Sequence, residues 1–236
     1  MQAISNSGLS SSDLLDMWDR GTSLHPLDRT LLALSATPAN RDCADWPLGR
    51  RNRALFELHA CCFGSHLRGW SSCSQCGETI EFDVDSALLL DAAALDCHSD
   101  SVVIQGERFR LPTSRDVAAV LFTDLDTAAI RLLEGCRISN RVGVEWSEDE
   151  VNAAGEILSA ADPLAETSLA LDCPSCGHQW FDVLDIGSFV WAEIEARARS
   201  LMSEVHALAT AYGWSERETL SLSPARRAGY LRMVQA

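Results

Sequence analysis

The residues best suited to chemistry in this sequence stand in two short runs. Cys73 and Cys76 open "CSQCGETIEFDVD", and Cys173 and Cys176 open "CPSCGHQWFDVLD". Two thiolates two residues apart grip one ion from a single tight turn. A tetrahedral zinc site takes two such grips, with Zn–S contacts of about 2.3 Å. Gly77 and Gly177 follow the second cysteine of each pair. They suit a backbone that swings to positive φ as it leaves the turn. Backbone N–H groups in such turns point at sulfur and offset its negative charge.

A period of two follows the first pair: Ile80, Phe82 and Val84 alternate with Thr79, Glu81 and Asp83, as on a half-buried strand. Two hairpins sharing one ion make a discontinuous zinc ribbon. Cys76 and Cys173 lie 97 positions apart, so closing that loop costs about 4 kcal/mol in the logarithmic term. Structural zinc offers about 10–16 kcal/mol, so the metal term wins. One structural zinc per chain, held by Cys73, Cys76, Cys173 and Cys176, is the expectation.

Iron in a rubredoxin-type site uses the same ligands and is the lesser alternative. A thioredoxin-like redox pair would open a helix, whereas each pair here runs into a strand. A zinc deaminase needs H-x-E with P-C-x-x-C, and the chain has neither. Four sulfurs close the coordination sphere, which points to a structural site. The sequence also lacks G-x-S-x-G, H-E-x-x-H, a P-loop and G-x-G-x-x-G. No enzyme is expected.

Around these pairs the chain is acidic and moderately apolar. It has 236 residues, a formal charge of -15 from 34 acids and 19 bases, and 47% hydrophobic residues. Such a charge opposes a phosphate backbone and excludes nucleic acid as main partner. Nine cysteines in a chain with neither an export-signal pattern nor an apolar run of spanning length favour a reducing cytoplasm over a disulfide framework or a membrane.

The elements that must position the cysteines are mostly helices. After a polar tail over residues 1–10, Ser12 is the expected cap of a helix stopping at Gly21. Pro26 opens a second helix, and "LGRRNRALFELHACCFG" forms a third, ending at Gly64. A hairpin turns at Gln105-Gly106. The helical stretch from Thr113 breaks near Asp124. "SEDE" starts another helix, stopped before Pro163. Val190, Ile194, Ala198, Leu201, Val205, Leu208 and Tyr212 form one helical stripe. Gly213 ends it, Ser215 to Glu218 spells a capping box, and Ser223-Pro224 opens the last helix.

The fold class is therefore α+β and mostly helical. Its expected parts are a helical region over 1–66, the ribbon from 67–86 with 167–185, an inserted hairpin and helices over 87–166, and a helical region over 186–236. Cys61 and Cys62 read as small buried side chains, and His178 as a residue on the exposed hairpin. Trp180, Phe181 and Trp191 read as core around the ribbon, and Arg50–Arg53 as a solvated helix face. "CHSD" at Cys97-His98 reads as a loop.

Three stretches together resemble a known family. They are "WPLGRRNRALFELHACCFGSHLRGWSSCSQCGETIEF", "RFRLPTSRDVAAV" and the C-terminal run from "LDCPSCGHQWFDVLDIGSF" through "AYGWSERETLSLSPARRAGYL". They are similar to the T4-type baseplate hub assembly chaperone family, encoded in gene clusters for phage tails and phage-like contractile injection systems. The resemblance spans roughly residues 46 to 235 and is weakest between about 120 and 165. It implies a non-enzymatic role in building or completing a baseplate. The implied partners are baseplate or hub and spike proteins, and the site cytoplasm or assembled particle. A zinc-ribbon adaptor of transcription or translation is the competing class. Glu78, Glu81, Asp83, Asp182 and Asp185 around the two pairs argue against it, because such ribbons usually present basic residues.

Overall fold

A computed structural model describes residues 10–36, 40, 42–94, 100–139 and 146–234. Cys97 and His98 lie outside the described residues, as do positions 1–9 of the expected polar tail. Among the described residues the chain is mostly helical, with three separate two-stranded antiparallel sheets.

Helices α1 (Ser11–Gly21), α2 (Pro26–Ser35) and α3 (Leu48–Cys62) come first. Ser10, not Ser12, caps α1: its hydroxyl accepts from the Asp13 N–H, because Ser10 is the residue with extended backbone before the first turn. The first hairpin is β1 (His66–Ser72) with β2 (Thr79–Asp85), and it runs into α4 (Ser86–Ala94). The inserted segment holds the hairpin β3 (Ser101–Ile104) and β4 (Glu107–Arg110). Helices α5 (Ser114–Val120), α6 (Leu125–Cys136) and α7 (Glu148–Ala161) follow. The third hairpin, β5 (Ser168–Asp172) with β6 (Gln179–Val183), leads into α8 (Ile186–Tyr212), α9 (Glu216–Ser221) and α10 (Pro224–Val234).

The main core forms where α1, α2 and α3 pack on α8. Val190, Ile194, Ala198, Leu201 and Leu208 of the apolar stripe are fully buried, while Tyr212 at its end is exposed. The regions 1–66 and 186–236, distant in sequence, thus share one core. The outer edge of the Trp191 ring abuts Gly21 of α1. A Cβ added at Gly21 would stand 2.0 Å from its ring, so that approach requires glycine. Arg227 of α10 is buried. It pairs with Glu204 of α8 and donates to Ser11 Oγ at 3.4 Å, which ties the last helix to the first.

The inserted segment has its own smaller core: Ile104, Phe109, Leu111, Leu133, Cys136, Ala154 and Leu158. Polar contacts join it to the main body. Pro47 precedes α3 and gives that helix no side-chain cap. Instead the buried Asp162, 113 positions away, accepts from the Gly49 N–H at 2.8 Å, as a carboxylate at a helix N-terminus should. A Cβ at position 49 would meet Asp162 Oδ1 at 1.8 Å. Asn52 Nδ2 donates to the Leu164 and Ala165 carbonyls, and Arg51 donates to Ser114 Oγ.

These contacts correct the reading of Arg50–Arg53 as a solvated face. Asn52 is buried and Arg51 and Arg53 are half-buried, because this face of α3 receives the insert. Burial lowers the Arg51 pKa from its ordinary value. Asp124, where the helical stretch breaks, caps α6 by accepting from the Thr127 N–H.

Candidate metal centre

Hairpins β1–β2 and β5–β6 end in matching turns. The Cys73 N–H donates to the Glu78 carbonyl at 2.8 Å, and the Gly77 N–H to the Cys73 carbonyl at 2.9 Å. In the other turn Cys173 and Gly177 make the same two bonds, to the His178 and Cys173 carbonyls, at 2.8 and 2.9 Å. Gly77 has φ +75° and Gly177 φ +73°. A side chain at either would be strained there.

The two turns face each other. Cys73 Sγ lies 3.7 Å from Cys176 Sγ, and Cys76 Sγ 3.5 Å from Cys173 Sγ. All four sulfurs fall within 4.8 Å of one another. Four sulfurs at about 2.3 Å from one tetrahedral ion would be about 3.8 Å apart. The cluster therefore has the spacing of a single-ion site and could hold a metal; its donor set is compatible with zinc. The first cysteine of each pair is buried and the second exposed.

The local electrostatics suit a cation. Burial pushes the Cys173 thiol up, but the Cys176 and Ser175 N–H groups and the neighbouring thiols outweigh it and bring it down to about 7. The Glu78 N–H lowers Cys76, yet that thiol's own hydrogen bonds to Cys173, Cys176 and Cys73 push it up to about 12. The Cys173 thiolate thus forms readily, while Cys76 and Cys176 hold their protons beside the neighbouring sulfurs. A divalent ion offsets the negative charge of such sulfurs.

A side-chain brace holds the hairpins together beside the sulfurs. Buried Ser71 donates to Asp182 Oδ2 at 2.5 Å and accepts from Trp180 Nε1 at 3.3 Å. His178 is half-buried, stacks on Trp180 and lies 3.2 Å from Ser74 Oγ through Nε2. It bridges the two turns without joining the sulfur cluster. The motif reading missed this brace, whose only trace in sequence is a small polar residue at an inward strand position, Ser71.

Other expectations fare differently. Trp191 belongs to the main core and Trp180 is half-buried, but Phe181 is 78% exposed. It alternates out of the β5–β6 sheet, opposite Ala170. Cys61 is exposed and Cys62 half-buried, since both follow the buried face of α3 at its last turn. No family model, curated protein or solved structure matches this chain. No helix among the described residues is long and apolar enough to cross a membrane.

Proposed function

We propose that Cys73, Cys76, Cys173 and Cys176 hold one structural zinc ion per chain, so that the two hairpins form a zinc ribbon. The chain acts as a non-enzymatic, protein-binding component in assembling the baseplate of a contractile, phage-tail-like injection system. The observation that carries the metal part is the convergence of four sulfurs from two matching turns onto one point. Four protein sulfurs leave no open position for substrate or water, which supports a structural role. Zinc would clamp β1–β2 to β5–β6 and, through them, fix the insert between the two halves of the main core.

The baseplate role rests on the resemblance carried by residues 46 to 235. An acidic exterior and an exposed Trp70 and Phe181 on the two hairpins suit a protein partner better than a nucleic acid. Elemental analysis of freshly purified, colourless protein should give one zinc per chain. Co-expression with the hub, spike and baseplate proteins of a tail-like gene cluster should yield a stable complex. An apo protein that folds with no metal would overturn the first part. Co-purification with none of those proteins would overturn the second.

A further inference from the structure

The insert carries a surface that the sulfur cluster does not explain. At the corner between α5 and α6, Phe122 is 95% exposed and Leu125 87% exposed. Single exposed apolar residues are ordinary, but contiguous ones mark contact surfaces. Leu125 also borders a groove of 370 Å³ between α6 and the start of α7, lined on its apolar side by Ala129, Ile130, Trp146 and Val151. Asp126 and Glu148 line the same groove, and no basic side chain among the described residues does. The nearby Asp124 is engaged in capping α6 and has the Arg131 guanidinium close by, which also donates to Thr123 Oγ1, so Asp126 and Glu148 carry the charge of the rim.

We propose that this groove and its apolar corner bind a basic amphipathic helix of a partner protein. An apolar floor with a carboxylate rim selects a ligand that is apolar along one face and cationic at its edges, as in helix-in-groove recognition. Phe122 stands outside the cavity, so a small molecule seated in the groove would leave it bare, whereas a helix crossing the corner covers it. An anionic lipid surface is repelled by the same rim. A second copy of this chain, with net charge -15, is a poor source of the cationic face. The inference is independent of the metal reading.

The test uses the full chain as purified and two labelled peptides of ~18 residues, about five helical turns. One carries leucine and lysine at helical period; the other has glutamate in place of lysine. Fluorescence anisotropy at low salt should show binding of the basic peptide alone. Phe122→Ser with Leu125→Ser should weaken it at least about tenfold, since both side chains are surface-exposed anchors. Asp126→Asn with Glu148→Gln should weaken it several-fold at low salt and little in about 1 M salt. Asp16→Asn with Asp19→Asn, which removes two charges from α1, should change nothing.

Thermal melts followed by circular dichroism check that each variant stays folded, and the asparagine–glutamine pair serves should the serine pair fail. Equal weakening by the α1 pair would reduce the effect to net charge and overturn the site. So would binding indifferent to the serine pair. A concentration-dependent dimer in sedimentation, lost in the serine variant, would assign the corner to a second copy instead.

Discussion

The two cysteine hairpins are alike where they face each other and unlike where they face the rest of the molecule. Their turns share hydrogen bonds, glycine positions and sulfur placement. Beyond the turns they diverge. The strands of β1–β2 run seven residues and reach the main core through a fully buried Leu67, with Phe82 and Val84 packed beside it. The strands of β5–β6 run five residues, touch that core only through a partly buried Leu169 and the Leu184 that follows them, and leave Phe181 and Val183 in solvent, whereas the first hairpin leaves Trp70 there. The difference teaches that the turn is specified by the sulfur site, while each strand's length and pattern follow from the core it meets. The first hairpin is anchored by packing. The second depends more on the sulfur cluster, the Ser71 brace and its junction with α8.

The largest test of that asymmetry is loss of metal. Cys73→Ser or Cys173→Ser should abolish stoichiometric zinc and lower the melting temperature by more than about 10 °C, given that each kcal/mol shifts a domain of this size by roughly 2–4 °C. Chelation of the wild type should raise hydrogen exchange more in β5–β6 than in β1–β2. Equal rises would break the comparison. Because zinc must displace protons from thiols such as Cys76 and Cys176, affinity should fall with every drop in pH across the neutral range, and more steeply below about 7, where Cys173 also takes up its proton. Zinc titrations at several pH values read this directly.

Next in size, Leu67→Ala should cost about 2–5 kcal/mol by emptying a packed position. Phe181→Ser on the other hairpin should stay within about 0.5 kcal/mol. Urea unfolding of both variants measures the contrast, and similar costs would refute the anchoring argument.

Ser71→Ala removes the hydroxyl that joins the hairpins. With Asp182 and Trp180 then lacking that partner, the expected cost is about 1–3 kcal/mol, and zinc should remain bound. Zinc loss in this variant would make the brace part of the metal site rather than a support beside it.

The smallest effect concerns acid. Hydrogen bonds from His66 and then Arg68 hold the Asp83 carboxyl below its ordinary value on the first hairpin. A depressed carboxylate stabilises the fold above its unfolded pKa of about 4, and that contribution disappears as pH falls through the folded value. Surface pairs of this kind contribute little. Asp83→Asn should therefore flatten the acid limb of the stability profile only slightly, and a large shift would show β1–β2 to be less anchored than proposed.

Much of the local structure was legible in the sequence. The cysteine spacing with its glycines marked both turns, and alternation marked β2. Gln105-Gly106 marked the insert's hairpin, where both residues adopt positive φ. Ser215–Glu218 forms the capping box its spacing spells, and the acidic "SEDE" run opens α7. Each of these signals depends on residues two to five positions apart, so propensity and hydrogen bonding act before any tertiary contact forms. Phe181 shows the limit. An aromatic residue beside the metal turn reads as core, yet strand alternation turns it outward, to a face that no element among the described residues covers.

By itself the sequence determined where the chain turns, roughly where most of its helices begin and end, and which four cysteines stand in knuckle-like pairs. Tertiary structure brings about the convergence that the paired spacing implied, and it alone decided that Asp162 supplies the cap Pro47 cannot give α3 and that Ser71 meets Asp182. These partners lie about a hundred positions apart, and no short-range pattern encodes them. They meet because α8 buries its apolar stripe against α1, α2 and α3, and that packing brings the two flanks of the insert together.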